Sequence, residues 1–137
     1  MQTIFTYNGT DRKVQYEIEK RVGKSFSFFD KIKMGGNGSP QLFVSALSDE
    51  IKPYFKQSAD RKFVNIELRQ KGLLIYLKNE SNDFIVAFPY VDLMYKISGN
   101  IVEICYSDFM LSLENKNTKN YSKFWNNFIQ LYTSANA

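Results

Sequence analysis

The sequence predicts a mostly β chain: a small antiparallel barrel of six to seven strands, capped by a C-terminal amphipathic helix and preceded by an N-terminal extension. Three observations predict it. From residue 62 onward, apolar and polar residues alternate in six short segments separated by turn residues. After residue 120 the apolar period changes from two to about 3.6. Twelve Phe, nine Tyr and one Trp in 137 residues supply bulky rings for a small core. By length the chain is a single domain, 1–137, divided into an extension (1–60) and a barrel with its capping helix (61–135).

The extension carries mixed signals. Val14, Tyr16 and Ile18 alternate with Gln15, Glu17 and Glu19, yet Val14, Ile18 and Val22 also stand four apart. Asn8-Gly9 marks a turn, so residues 3–7 and 13–20 read as a hairpin, and the strand reading is taken for 13–20. An aromatic cluster, Ser25-Phe-Ser-Phe-Phe29, precedes the glycine-rich stretch Met34-Gly-Gly-Asn-Gly-Ser-Pro40. That stretch lacks the GxxxxGK[ST] spacing of a phosphate loop, so it reads as a loop leading into a helix. Ser39 would cap the helix and Pro40 would open it. Phe43, Leu47 and Ile51 would form its apolar face, and Pro53 would end it, giving a short helix at 40–51. A seventh strand would then come from 13–20, or from 42–46 if that helix does not form.

The barrel segments follow in order. Val64, Ile66 and Leu68 alternate with polar residues, Gln70-Lys71-Gly72 reverses the chain, and Leu73, Ile75 and Leu77 resume. Residues 84–88 (Phe-Ile-Val-Ala-Phe) form the third strand and Leu93, Tyr95 and Ile97 the fourth. Ser98-Gly99-Asn100 turns into Val102, Ile104 and Tyr106, and Ser107-Asp108 turns into Phe109, Leu111 and Leu113. Between the third and fourth strands stands Pro89 with no hairpin signal. Proline cannot donate to a ladder, so it marks a corner where the chain changes sheets. In the last segment Phe124, Trp125, Phe128, Ile129 and Tyr132 fall on one helical face, spanning with their neighbours an arc of about 160°. Trp125 and Phe128 are therefore expected in the core.

The hairpin Ile66-Glu-Leu-Arg-Gln-Lys-Gly-Leu-Leu-Ile75, the segment Phe88-Pro-Tyr-Val-Asp-Leu93 and the helix with Phe124-Trp125 together resemble a pleckstrin-homology-like barrel, closest to its bacterial and GRAM-like branches. The resemblance covers about 62–135 and rests on pattern rather than a diagnostic motif. It implies a non-enzymatic binding or adaptor module, with protein–protein interaction as the first expectation. The alternative it implies is weak binding to an anionic lipid or phosphoinositide-type membrane surface. Arg61, Lys62, Arg69 and Lys71 around the first hairpin would be the candidate anion or lipid ligands. An α+β domain with a curved sheet around one helix is the competing fold.

Composition narrows function further. The chain contains no histidine, which removes every Ser-His-Asp or Cys-His nucleophile and every imidazole metal site. Its acids show no metal-loop spacing, so no catalytic residue, metal or cofactor is expected. The formal net charge of +4 is evenly spread: residues 1–60 and 61–137 each carry nine Lys/Arg against seven Asp/Glu. No basic block forms, so nucleic acid is not an expected partner, whereas a protein partner or a homo-oligomer is compatible. The single Cys105 argues against a disulfide scaffold, and the first residues lack a signal-peptide pattern. A soluble, cytoplasmic protein is the expectation.

Overall fold

The computed structural model describes residues 3–7, 11–54, 63–78, 83–115 and 121–137. The chain begins with strand β1 (Ile4–Tyr7) and helix α1 (Arg12–Val22). The Asp11 side chain accepts from the backbone N–H of Lys13 and Val14 at 3.0 and 3.3 Å, which satisfies two donors of the first turn. Lys20 and Arg21 occupy the last turn, where the helix dipole favours cations. Gly23, at φ +90°, then turns the chain out of the helix. Ile18 and Val22 are buried while Tyr16 is 60% exposed. The four-residue spacing therefore wins over the alternation, and 13–20 is helix rather than strand. Nor is β1 half of a hairpin with that segment: it pairs antiparallel with residues 83–86.

Helix α2 (Phe28–Met34) follows, capped by Ser27 and ended by Gly35 in the left-handed region. Strand β2 (Leu42–Leu47) replaces the expected helix at 40–51, and the only helical turn nearby is a 3-10 turn at Lys52–Tyr54. Two local facts explain the difference. Leu42 and Val44 are buried at a two-residue spacing, which the four-residue run of Phe43, Leu47 and Ile51 obscures in the sequence. Ser39 caps no helix: its hydroxyl accepts from Ile66 N–H at 2.9 Å and donates to Pro40 O, bracing the approach to the sheet.

The remaining strands are β3 (Phe63–Leu68), β4 (Gly72–Lys78), β5 (Asp83–Pro89), β6 (Met94–Ser98), β7 (Ile101–Tyr106) and β8 (Phe109–Glu114), followed by helix α3 (Tyr121–Ala135). All eight strands join one antiparallel sheet in the order β1-β5-β4-β3-β2-β8-β7-β6. Eight strands exceed the six to seven expected, because β2 and β1 both come from the extension. The first and last strands of the β2–β8 run pair with each other, with a bulge at Ser45. The sheet is not closed, since β5 pairs with β4 and β1 whereas β6 pairs with β7.

Pro89 is the last paired residue of β5, opposite Gly72. Beyond it, Tyr90 N–H donates to Lys71 O and Leu93 N–H to Tyr90 O, which bends the chain away. Asp92 adopts φ +71° in this bend. Residues 90–93 thus carry the chain from one part of the sheet to its far edge.

The core has two parts. On one face α3 lays Phe124, Trp125 and Phe128 against Phe88, Tyr90, Leu73, Ile75 and Leu77. Trp125 and Phe128 are 2% and 0% exposed, and their rings meet edge-on at 5.5 Å between centroids. On the other face α1 sets Ile18 and Val22 against Leu74, Ile85, Ala87 and Phe5. Strands β4 and β5 are therefore covered on both sides, which explains why Leu73-Leu-Ile-Tyr-Leu77 and residues 84–88 are unbroken apolar runs.

Candidate functional site

Of the four cations predicted to hold an anion, Arg61 and Lys62 lie outside the described residues. Arg69 is held inside the fold. Its Nε donates to Glu67 Oε2, and its Nη1 donates to the Gly23 carbonyl at 2.9 Å. Tyr76 in turn donates its hydroxyl proton to Glu67 Oε1 at 3.2 Å. This arrangement pins the end of α1 to the β3–β4 hairpin and engages two of the three guanidinium nitrogens of Arg69. Lys71 is exposed, and its backbone N–H donates to Val22 O. The hairpin thus offers one free described cation rather than a cluster.

The structural residues behave differently. Pro89 ends β5, and Trp125 and Phe128 fill the core. Tyr90, between them in space, is fully buried and donates its hydroxyl proton to Arg69 O at 2.7 Å. Burial pushes its phenol well above the ordinary tyrosine range.

Two surface features stand out. The first is the outer edge of β6. Among the described residues no strand pairs with that edge, so its backbone groups are open to a further strand. The sequence places Met94, Lys96 and Ser98 on its outward face, and Met94 is 70% exposed. Val91, just before the strand, is 54% exposed. The inward residue Tyr95 packs edge-on against Phe128 and Tyr132 of α3, both at 4.9 Å, and Tyr132 donates its hydroxyl proton to Leu93 O at 2.7 Å. The edge is therefore rigidly mounted on the core helix.

The second feature is α2. None of its residues is buried, and Phe28, Phe29 and Ile32 are 73%, 75% and 60% exposed. Lys24 and Lys33 are exposed beside them, Lys31 is half-buried, and Asp30 is the one acid within the helix. Sequence reasoning located this aromatic cluster without showing which way it faces.

Among the described residues, no three His, Cys, Asp or Glu side chains gather as a metal-binding group, and no helix is long and apolar enough to cross a membrane. No protein-family model matches the chain, and no curated protein matches it significantly in sequence.

Proposed function

We propose that this chain is a non-enzymatic, cytoplasmic binding module of the pleckstrin-homology-like kind, and that its protein partner adds an extended segment to the outer edge of β6. The fold part of this reading is supported by the run of seven antiparallel strands β2–β8, whose ends pair, with an aromatic helix packed in their core. A strand at Leu42–Leu47 also supports it, since that is one of the two places where the resemblance expects a seventh.

The observation that carries the partner reading is the unpaired edge of β6 beside exposed Met94. An added strand gains main-chain hydrogen bonds along such an edge, and alternate side chains provide selectivity. Methionine is polarizable and adaptable, which suits a contact surface of this kind. A photo-reactive amino acid at position 94 should cross-link one protein from native extract, whereas the same group at exposed Glu103 should not. Equal adducts at both positions, or none at 94, would refute the reading.

The exposure of Phe28, Phe29 and Ile32 favours a second reading, an anionic membrane surface. Lipid binding would then use α2 instead of the Arg69–Lys71 hairpin. Each engaged lysine near such a surface adds about 1 kcal/mol, and the rings would insert among the headgroups. Co-sedimentation with phosphatidylserine vesicles at low salt tests it. The reading requires pelleting that Phe28→Ala with Phe29→Ala abolishes.

A further inference from the structure

Arg21 sits at the end of α1 with only 8% of its surface exposed, and among the described residues no carboxylate forms an ion pair with it. Removing a guanidinium from water without a counter-ion is unfavourable unless other groups replace the lost solvation. Part of the replacement is visible. Nε donates to Ala87 O at 3.0 Å, while Nη2 donates to Thr3 Oγ1 at 2.8 Å and to Tyr106 OH at 3.2 Å. The Tyr106 ring lies 5.5 Å from the guanidinium carbon, within cation–π range.

The bond to Ala87 has a structural explanation. Ala87 N–H donates to Thr3 O where β1 begins, and Arg21 takes the Ala87 carbonyl. The rest of the guanidinium has no such explanation. Among the described residues Nη1 has no hydrogen-bond partner, which leaves its two donors for another group. The Thr3 and Tyr106 hydroxyls each accept from Nη2, so each still has its own proton to donate.

These donors line an open cleft of about 910 Å³. Tyr54 and Phe109 add aromatic surface to it, and Asp92 and Ser107 complete its rim. Asp92 and Ser107, at φ +71° and +53°, are the only non-glycine residues with positive φ among the described residues, and both lie at this one cleft. Backbone held in that sparsely populated region concentrates at ligand sites.

We infer that this cleft binds a small organic carboxylate, with Arg21 Nη1, the Tyr106 hydroxyl and the Thr3 hydroxyl as its donors. The charge balance selects the class. One guanidinium in a cleft that Asp92 also lines suits a monoanion better than a phosphate dianion. The aromatic walls suit a ligand with an apolar body. This inference uses residues apart from the β6 edge, so it stands or falls separately from the strand-addition reading.

The test is an NMR titration of the full chain with sodium benzoate, with sodium chloride and sodium phosphate at matched ionic strength as comparisons. Benzoate should produce saturable shifts confined to the amides of Thr3, Ile4, Asp92, Tyr106 and Ser107. Arg21 also braces β5, so the informative variants are elsewhere. Tyr106→Phe keeps the ring and removes one donor, and it should weaken benzoate about tenfold. Asp92→Asn tolerates the left-handed backbone and removes a repelling charge, and it should tighten binding about threefold. Four results would overturn the inference: no saturable shift, equal shifts with chloride, saturation by phosphate alone, or unchanged affinity in both variants.

Discussion

Replacing Gly72 with alanine puts one methyl group where three elements meet. A Cβ there would lie 2.5 Å from Phe88 O, 2.5 Å from Val22 Cγ1 and 2.9 Å from Pro89 Cα. Ordinary carbon contacts fall at about 3.5–4.0 Å, so each neighbour would have to retreat by roughly 1 Å. Val22 belongs to α1 and can give a little. Phe88 O and Pro89 Cα are backbone atoms of β5, held in register with β4, and no rotamer change relieves them. Overpacking typically costs about 1–3 kcal/mol, and rigid backbone neighbours place this case near 3. Lower chain entropy in the unfolded state returns about 0.4–1 kcal/mol, leaving a loss of about 2–2.5 kcal/mol. For a chain of this length each kcal/mol lowers the midpoint by about 4 °C, so Tm should fall by about 8–10 °C. Thermal unfolding followed by Trp125 fluorescence measures it. Gly38→Ala is the control: its Cβ would meet nothing within 4 Å, and its Tm should hold. A Gly72→Ala protein melting within about 1 °C of the parent would refute the steric argument, as would an equal fall for Gly38→Ala.

Other substitutions test the core and the clamp. Trp125→Ala should cost about 3–5 kcal/mol by urea titration, as large core truncations do, and the parent's emission should lie well to the blue of free indole. Tyr90 gives a pH signature. Its phenol is raised in the folded state, so its contribution is complete below the ordinary tyrosine range of about 10. As pH rises past that value the unfolded chain loses its proton first, and stability falls toward the folded value. Tyr90→Phe should flatten that alkaline decline, and an unchanged decline would assign it to other groups. Arg69→Ala leaves Glu67 without its cation and Gly23 O without its donor, at a cost of about 1.5–3 kcal/mol. Hydrogen exchange in α1 should accelerate, and unchanged protection there would show that the clamp does not hold the helix.

The six strands β3–β8 and the final helix were legible because turn residues bound them and their apolar residues follow a strand or helix pattern. Gly72, Gly99 and Ser107-Asp108 mark turns; alternation between core and solvent is plainest in β3 and β7, whereas β4 and β5 read as apolar runs because both faces are covered. The bend after Pro89 was legible too, since a proline without a turn partner leaves few placements, but the change of sheet expected there is not found: β5 and β6 belong to one sheet. The extension was not. Residues 13–20 satisfy both periods, and the choice is made by contacts far away in sequence: Ile18 and Val22 need Leu74, Ile85 and Ala87 opposite them. Residues 40–51 failed in the other direction. Ser39 carries a good cap signal, but Ile66 N–H competes for its hydroxyl. A local propensity loses to a long-range hydrogen bond once the sheet has formed.

Sites are harder to read than folds for a related reason. Arg69 looked available because a hairpin end is normally solvated, yet Glu67 two residues earlier is on the same strand face and takes its charge. Nothing in the sequence sets Arg21 apart from the other seventeen Lys and Arg. Its helix is covered on the face of Val14, Ile18 and Val22, and a residue adjacent to Val22 can be drawn in only if a strand edge nearby needs a donor. The Ala87 carbonyl meets that donor where β1 begins, with Ala87 N–H donating to Thr3 O, a fact of pairing rather than of composition. The open edge of β6 is likewise a property of strand order, which no property of Met94 or its neighbours encodes locally. Where a sheet stops pairing is thus a property of the whole fold, and alternation in a single sequence marks strands without marking edges.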